Sequence, residues 1–498
     1  MADPGEAREL VPAVPAHLDL GLALRPRGAV AEVGDGVAQV TGLAEVGSEE
    51  LVIFDSGAVG VAYDLAPEHI GVVVLSGADR VRAGQGARPG GRLPSLPVGR
   101  DLLGRLIDPL GRALDDGPPP AGVRRSAFCA APDLTERAPV NRPLLTGVMV
   151  LDAAVPIGRG QRQLIVGDHN VGKTALALDI VAAQRPGEVA CVYVAVGQPL
   201  TRVLGIRQAL LEHGALANTV VVAADAADPA GLQYLAPYAG ASVAEYFRDQ
   251  GQDALVVYDD LTKHADAYRE LALLLGRPPG REAFPGDIFF IHAGLLERAT
   301  ARTEAAGGGS VTALPIVETT DGDISSYIPT NLISITDGQV YLDAARFERN
   351  QRPAVDVGRS VSRVGGAAQS ASMRAAARNL RIIMARFEAL EALTRVGLDV
   401  DEETRRAVNR GRIMREILRQ PRFAARSLGE EIAALTAVAG GQMDGFPPAR
   451  AGAIIEAIRR ARAGIADDMA RLDAGEEPAA GWQERLRPAL TAALGPAR

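Results

Sequence analysis

The run Gly167-Asp168-His169-Asn170-Val171-Gly172-Lys173-Thr174 is where residue type and spacing in this chain meet a chemical task. It matches GxxxxGK[ST], the pattern of a loop that wraps a phosphate. Glycines at both ends let backbone N–H groups curl around an anion. The helix that follows offers the partial positive charge of its first turn, and Lys173 adds a full one. The Thr174 hydroxyl is the oxygen that would hold magnesium. Lys173 and Lys263 are the only lysines in a sequence that otherwise uses arginine for positive charge. A planar guanidinium does not replace a compact ammonium reaching between phosphates.

Such a loop needs a strand before it and a helix after it, and the sequence supplies both in Leu164-Ile165-Val166 and Ala175-Leu176-Ala177-Leu178. A second apolar run, Ala254 to Tyr258, delivers the pair Asp259 and Asp260 at its end. Asp259 is placed to orient magnesium, and Asp260 to cap the helix that follows. Hydrolysis also requires a group that takes a proton from the attacking water. In ring-shaped ATPases this is a glutamate just after the strand that follows the loop's helix. Here that strand, Cys191 to Val196, ends in Gly197-Gln198. An amide holds a water but does not accept its proton, so the site reads as one that binds ATP or ADP with magnesium without hydrolysing it quickly.

The 498 residues are 47% apolar, enough for two to four conventional domains. A net charge of -8 carries no basic footprint for nucleic acid. No window approaches the roughly 18 apolar residues of a membrane span, and no apolar signal segment opens the sequence. Cys129 and Cys191 stand alone, without metal-ligand spacing, and read as reduced thiols.

Taken in order, residues 1–24 are proline-bearing and polar and are expected to form a flexible arm. Residues 25–94 hold short β-rich runs at Val30–Val33, Val37–Val40, Leu51–Phe54, Val59–Tyr63 and Ile70–Leu75, which predict a small β-barrel. Residues 95–368 alternate apolar runs with helical stretches, the mark of a parallel α/β sheet. Its strands are expected at 164–166, 190–196, 219–223, 254–258, 287–291, 311–317 and 332–335. From 369 to 498 the period turns helical, as in Leu380, Ile383, Phe387, Leu390 and Leu393, and an all-α bundle follows. Between the last two regions, Gly358 to Gly366 presents Arg359 and Arg363 on a glycine-flanked loop. From spacing alone, an arginine finger for a neighbour's nucleotide and a salt-bridged surface arginine both remain open.

Several longer stretches are specific enough to carry a resemblance: Pro156 to Arg162, Leu235 to Gly240, Glu245 to Arg248, Tyr258 to Leu261, Arg277 to Ala283, Tyr327 to Asn331, Ile335 to Gln339 and Ser360 to Val364. Through them the sequence resembles the alpha subunit of the F-type ATP synthase head. The resemblance implies a β-barrel crown, a RecA-like nucleotide domain and a helical C-terminal domain. It also implies an alternating ring of three alpha and three beta subunits around a gamma stalk, with a peripheral stalk contacting the N-terminal arm. In such a subunit the nucleotide site, Gly167 to Thr174 with Gln198, Asp259 and Arg352, is non-catalytic. Arg363, together with Ser360 and Ser362, serves the catalytic site of the beta subunit. The complex would lie on the cytoplasmic face of the plasma membrane, touched by this protein only through other subunits. The alternative is a self-sufficient homohexameric RecA-like motor, a secretion ATPase or a Rho-type helicase. Gln198 and the acidic balance speak against it.

Departures accompany the resemblance. The family loop usually reads GDRQTGKT, and here His169, Asn170 and Val171 replace Arg, Gln and Thr. Gly294 stands where the family usually has Arg. Together they fit a divergent, alternate form of the synthase, with a sodium-moving version among the readings.

Overall fold

The computed structural model describes residues 26–395, 401–444 and 446–494. The expected arm lies outside these residues. The fold starts with six strands, β1 (Gly28–Gly34), β2 (Val37–Thr41), β3 (Leu51–Phe54), β4 (Val59–Leu65), β5 (Ile70–Ser76) and β6 (Gly86–Pro89). They close into a barrel in the order β1-β2-β5-β4-β3-β6, every contact antiparallel. Val30, Val40, Val52, Val72 and Val74 fill its interior, so closure leaves no strand edge to be covered. Gly231 fixes how the barrel meets the rest, since a methyl there would collide with Val73 of β5.

The central region adds β7 (Ser95–Val98), β8 (Leu106–Ile107), β9 (Val123–Ser126), β10 (Leu164–Asp168), β11 (Val189–Val196), β12 (Thr219–Ala224), β13 (Asp253–Asp259), β14 (Ser310–Thr319), β15 (Gly338–Leu342) and β16 (Val361–Ser362). β7 and β9 pair as a ribbon, and the others form one sheet ordered β16-β15-β10-β14-β13-β11-β12-β8. Its pairings are parallel except at the β15–β16 edge. All eight residues of β11 and all seven of β13 are buried, because helices cover both faces of the sheet. Helix Ala230–Asp249 lies on β11 so closely that a methyl at Gly240 would collide with Val194.

Two expected strands are helices instead. Residues 287–291 open helix Ile288–Leu296, and 332–335 end helix Tyr327–Ile335; the strand lies just beyond, at β15. Apolar runs of four or five residues carry no period that separates strand from buried helix, and packing decided both. β8 and the β7/β9 ribbon were hidden among prolines.

The C-terminal region is helical, with Leu380–Arg395, Glu402–Leu418 and Leu428–Ala439 at its centre. Ser427 and Glu430 form a reciprocal cap on the last of these. Trp482 opens the final helix and packs against the same core. Glu431 is fully buried, and neither carboxyl oxygen finds a hydrogen-bond partner among the described residues. Its neighbour across the domain boundary is Asp152, whose carboxyl accepts from the N–H groups of Thr146 and Gly147.

Candidate functional site

β10 delivers the phosphate loop from the middle of the sheet. Its register places Gly167 beside Glu318 and Asp168 beside Thr319 of β14. A methyl at Gly167 would come within 2.6 Å of the Leu342 carbonyl, so the close packing of β10 on β15 requires glycine. Asn170 and Gly172 both take positive φ, 60° and 97°, which turns the loop back on itself before helix Lys173–Ala182 begins. Asp168 ties the loop down by accepting from Thr319 Oγ1 at 2.6 Å and the Gly322 N–H at 2.8 Å. Val171 is buried beneath it.

Lys173 is folded over its own loop. Its Nζ donates to the carbonyls of Gly167 at 2.9 Å and Asp168 at 2.6 Å, and lies 3.5 Å from Glu318 Oε1. Burial lowers its pKa, with Glu318 and Asp260 pulling the other way. His169 Nδ1 sits 3.2 Å from the same Glu318 oxygen. Burial works against ionisation of Glu318, but Lys173 and His169 outweigh it and hold the carboxyl below its usual range.

Thr174 Oγ1 donates to Asp259 Oδ2 at 2.8 Å, and the Tyr193 hydroxyl donates to the same oxygen. Burial and Asp259 push Tyr193 well up, so it stays a neutral donor. Asp260 caps helix Leu261–Leu274 by accepting from the Lys263 N–H at 3.0 Å. Burial, with Asp259 beside it, lifts its carboxyl from 3.8 to about 6. Gln198 is fully buried and donates Nε2 to the Asp259 carbonyl at 2.7 Å, while its Oε1 has no hydrogen-bond partner among the described residues. The loop, Thr174, Glu318, Arg202 and Arg422 surround a cavity of about 470 Å³. A second cavity of about 520 Å³ is lined by Arg352 and Gln420 and shares Arg422 with the first. Arg352 lies over Phe347 at 4.7 Å, and Phe347 approaches Gly172.

The loop after β15 is built separately. Ser360 is fully buried, and its Oγ accepts from the Tyr341 N–H at 2.9 Å. Ser362 Oγ donates to the Pro156 carbonyl at 2.7 Å and accepts from the Gly365 N–H at 3.1 Å. Arg381, from the first long C-terminal helix, donates to the carbonyls of Ala154, Val357 and Ser360 at 2.7, 2.7 and 3.1 Å. Arg359 stacks on Tyr341 at 3.6 Å. Arg363 is held only by its backbone, whose N–H donates to the Asp337 carbonyl at 2.8 Å. Its exposed guanidinium makes no hydrogen bond or ion pair with any described residue.

A family model for the nucleotide-binding domain of the ATP synthase alpha/beta family matches residues 147–362, and one for the C-terminal domain of the same subunits matches 369–492. "ATP synthase subunit alpha 2" of Syntrophotalea carbinolica is 50% identical over 424 residues, 85% of this chain and 81% of that protein. The protein of the same title from Polaromonas naphthalenivorans is 50% identical over 443 residues, 89% and 85% of the two proteins. "ATP synthase subunit alpha 1" of Marinomonas sp. is 49% identical over 450 residues, 90% and 88%. The protein belongs to the F-type ATP synthase alpha-subunit family.

As a member of that family, it is part of an ion-translocating ATP synthase complex, and its central domain is a nucleotide-binding one. The structure brings Gly167 to Thr174, Gln198 and Asp259 together, as their positions in the sequence lead one to expect. Arg352 lies across Phe347 toward the second cavity. Ser360, Ser362 and Arg363 stand apart from this cluster on their own loop. The resemblance groups Ser360 and Ser362 with Arg363 in its catalytic role; in the structure their hydroxyls bond to the Tyr341 N–H, the Pro156 carbonyl and the Gly365 N–H. Four residues around the nucleotide site escape a reading of the sequence: Tyr193, Arg202, Glu318 and Arg422. Glu318 has a usable signal, a carboxylate one position beyond the apolar run 311–317. The other three come from elements whose approach to the loop only the fold reveals.

Proposed function

We propose that this protein is the non-catalytic, regulatory nucleotide-binding subunit of the synthase head, lending Arg363 to the catalytic site of a neighbouring beta subunit. The observation that carries the first half is Gln198. It occupies the place of the water-activating carboxylate, and its amide takes up no proton at neutral pH. The carboxylate that lines the cavity, Glu318, is paired with Lys173 and His169, and that pairing makes it a poor base. The second half is supported by Arg363, which is exposed, unpaired among the described residues and braced from behind by two serines and Arg381.

ATP or ADP would bind with its phosphates under the loop N–H groups and its base toward Arg352. Thr174 and Asp259 would hold magnesium, and their oxygen-only pairing, 2.8 Å apart, suits a hard cation. Held by Thr174 and Asp259, magnesium would supply positive charge to offset that of the phosphates. The partners that fit this reading are three beta subunits alternating with three copies of this one, a gamma stalk and a peripheral stalk at the N-terminal arm. The site of action is the cytoplasmic face of the plasma membrane, reached through the complex. No described helix is long and apolar enough to cross a membrane.

The test is turnover by reconstituted rings carrying Arg363→Ala, with assembly checked by native mass spectrometry. Normal ring mass with most multisite ATP hydrolysis lost supports the reading. Near-parental hydrolysis by intact rings would leave this subunit without a catalytic contribution. Robust steady-state hydrolysis by the isolated subunit would favour the homohexameric motor.

A further inference from the structure

The hydroxyl that would serve magnesium has a competitor in the structure. Thr174 Oγ1 places its single proton on Asp259, and Arg202 Nη2 donates to the same oxygen at 3.1 Å. Arg202 stands on the first turn of helix Leu200–Glu212, directly after the Gly197-Gln198 turn. Its side chain is exposed and forms no ion pair with any described residue, yet it lines the phosphate cavity. The loop's own polar side chains are occupied: Lys173 by two carbonyls and Glu318, His169 by Glu318. A free guanidinium beside the first-turn hydroxyl has a better partner than that hydroxyl in a phosphate. Its planar fork matches two phosphate oxygens, and each contact is charge-assisted on both sides.

We propose that Arg202 is a phosphate-binding residue that shares magnesium's task, so that this subunit retains its nucleotide when the metal is withdrawn. The proposal rests on the nucleotide-site reading above. A surface arginine that meets Thr174 only incidentally predicts the opposite, the same metal dependence with or without it.

The experiment is equilibrium dialysis of radiolabelled ADP against the full-length protein, parent and Arg202→Gln, with excess magnesium and with EDTA. Glutamine keeps hydrogen-bond donors and removes the charge, and a thermal melt of each protein checks folding. In the parent, chelation should weaken ADP binding less than about tenfold. Arg202→Gln should weaken ADP binding several-fold with magnesium and lose roughly a further tenfold or more in EDTA, the worth of a charge-assisted contact. Equal losses in the two proteins, or complete loss from the parent in EDTA, would overturn the inference while leaving the nucleotide site intact. A parent protein that binds no ADP even with magnesium would overturn the nucleotide site itself.

Discussion

Lys173 Nζ donates to the carbonyls of Gly167 and Asp168 beside the Glu318 carboxylate, which holds the ammonium over the loop. A contact from that ammonium to a phosphate is charge-assisted, worth about 1.5–3 kcal/mol. Lys173→Ala should weaken magnesium-ATP binding by at least about tenfold and leave the fold nearly unchanged, which equilibrium dialysis and a thermal melt would show. At Arg363 the expected signature is different, because a finger acts on charge that develops only in the transition state. Fingers of this kind contribute roughly 10³–10⁵ in rate. Arg363→Lys should cost ring turnover almost as much as Arg363→Ala, since an ammonium lacks the fork. Retained nucleotide on this subunit in both variants would show that the loss arises at the neighbour's site. Residues bound to the loop pattern by short spacing, such as Lys173 and Thr174, were legible from sequence. Gln198 and Asp259 were legible because each follows an apolar strand. Arg202 and Tyr193 had no such punctuation, because what makes them functional is a side chain reaching across from another element.

Elements were readable where length or period spoke and unreadable where short apolar runs met tertiary packing. The barrel strands carry alternation and turn residues, and five of the six appear near their expected places. The runs at 288–291 and 332–335 contain β-branched and aromatic residues and still became helix, because the sheet positions beside β10 were already taken by β14 and β15. Close approach between elements is also invisible in one dimension. Gly240 sets the distance between its helix and β11, so Gly240→Ala should destabilise the protein by about 1–3 kcal/mol through overpacking. Gly205 offers the contrast, a helical glycine with nothing within 4 Å of an added methyl. Gly205→Ala should stabilise by about 0.5–1 kcal/mol. Paired urea melts decide both, and equal effects at the two positions would contradict the packing argument.

Across the whole molecule, the nucleotide domain and the helical bundle meet at two buried acids. Burial lifts Asp152 from 3.8 to about 6, and burial with Asp152 alongside raises Glu431 well above its usual value. Thr146 and Gly147 face the first carboxyl; Arg426 and Glu430 flank the second. Acids raised on folding bind more protons in the folded state, so their contribution is complete below about pH 4 and fades as pH climbs through about 6. The thermal midpoint should therefore fall between pH 5 and pH 8 by more in the parent than in Glu431→Gln, and the variant should be the more stable at pH 8. Parallel pH profiles would show that the pair carries no such linkage. The three-region architecture was legible because each region has its own rhythm, whereas this boundary was not, since Asp152 and Glu431 are far apart in the sequence. Arg381 closes the same boundary in another way. One guanidinium clasps carbonyls from the end of helix Met149–Ala154 and from two points of the loop that ends at Arg363. Those stretches and the first long bundle helix are thereby joined by one side chain, so the place of the loop that carries Arg363 is set from the bundle as well as from the sheet.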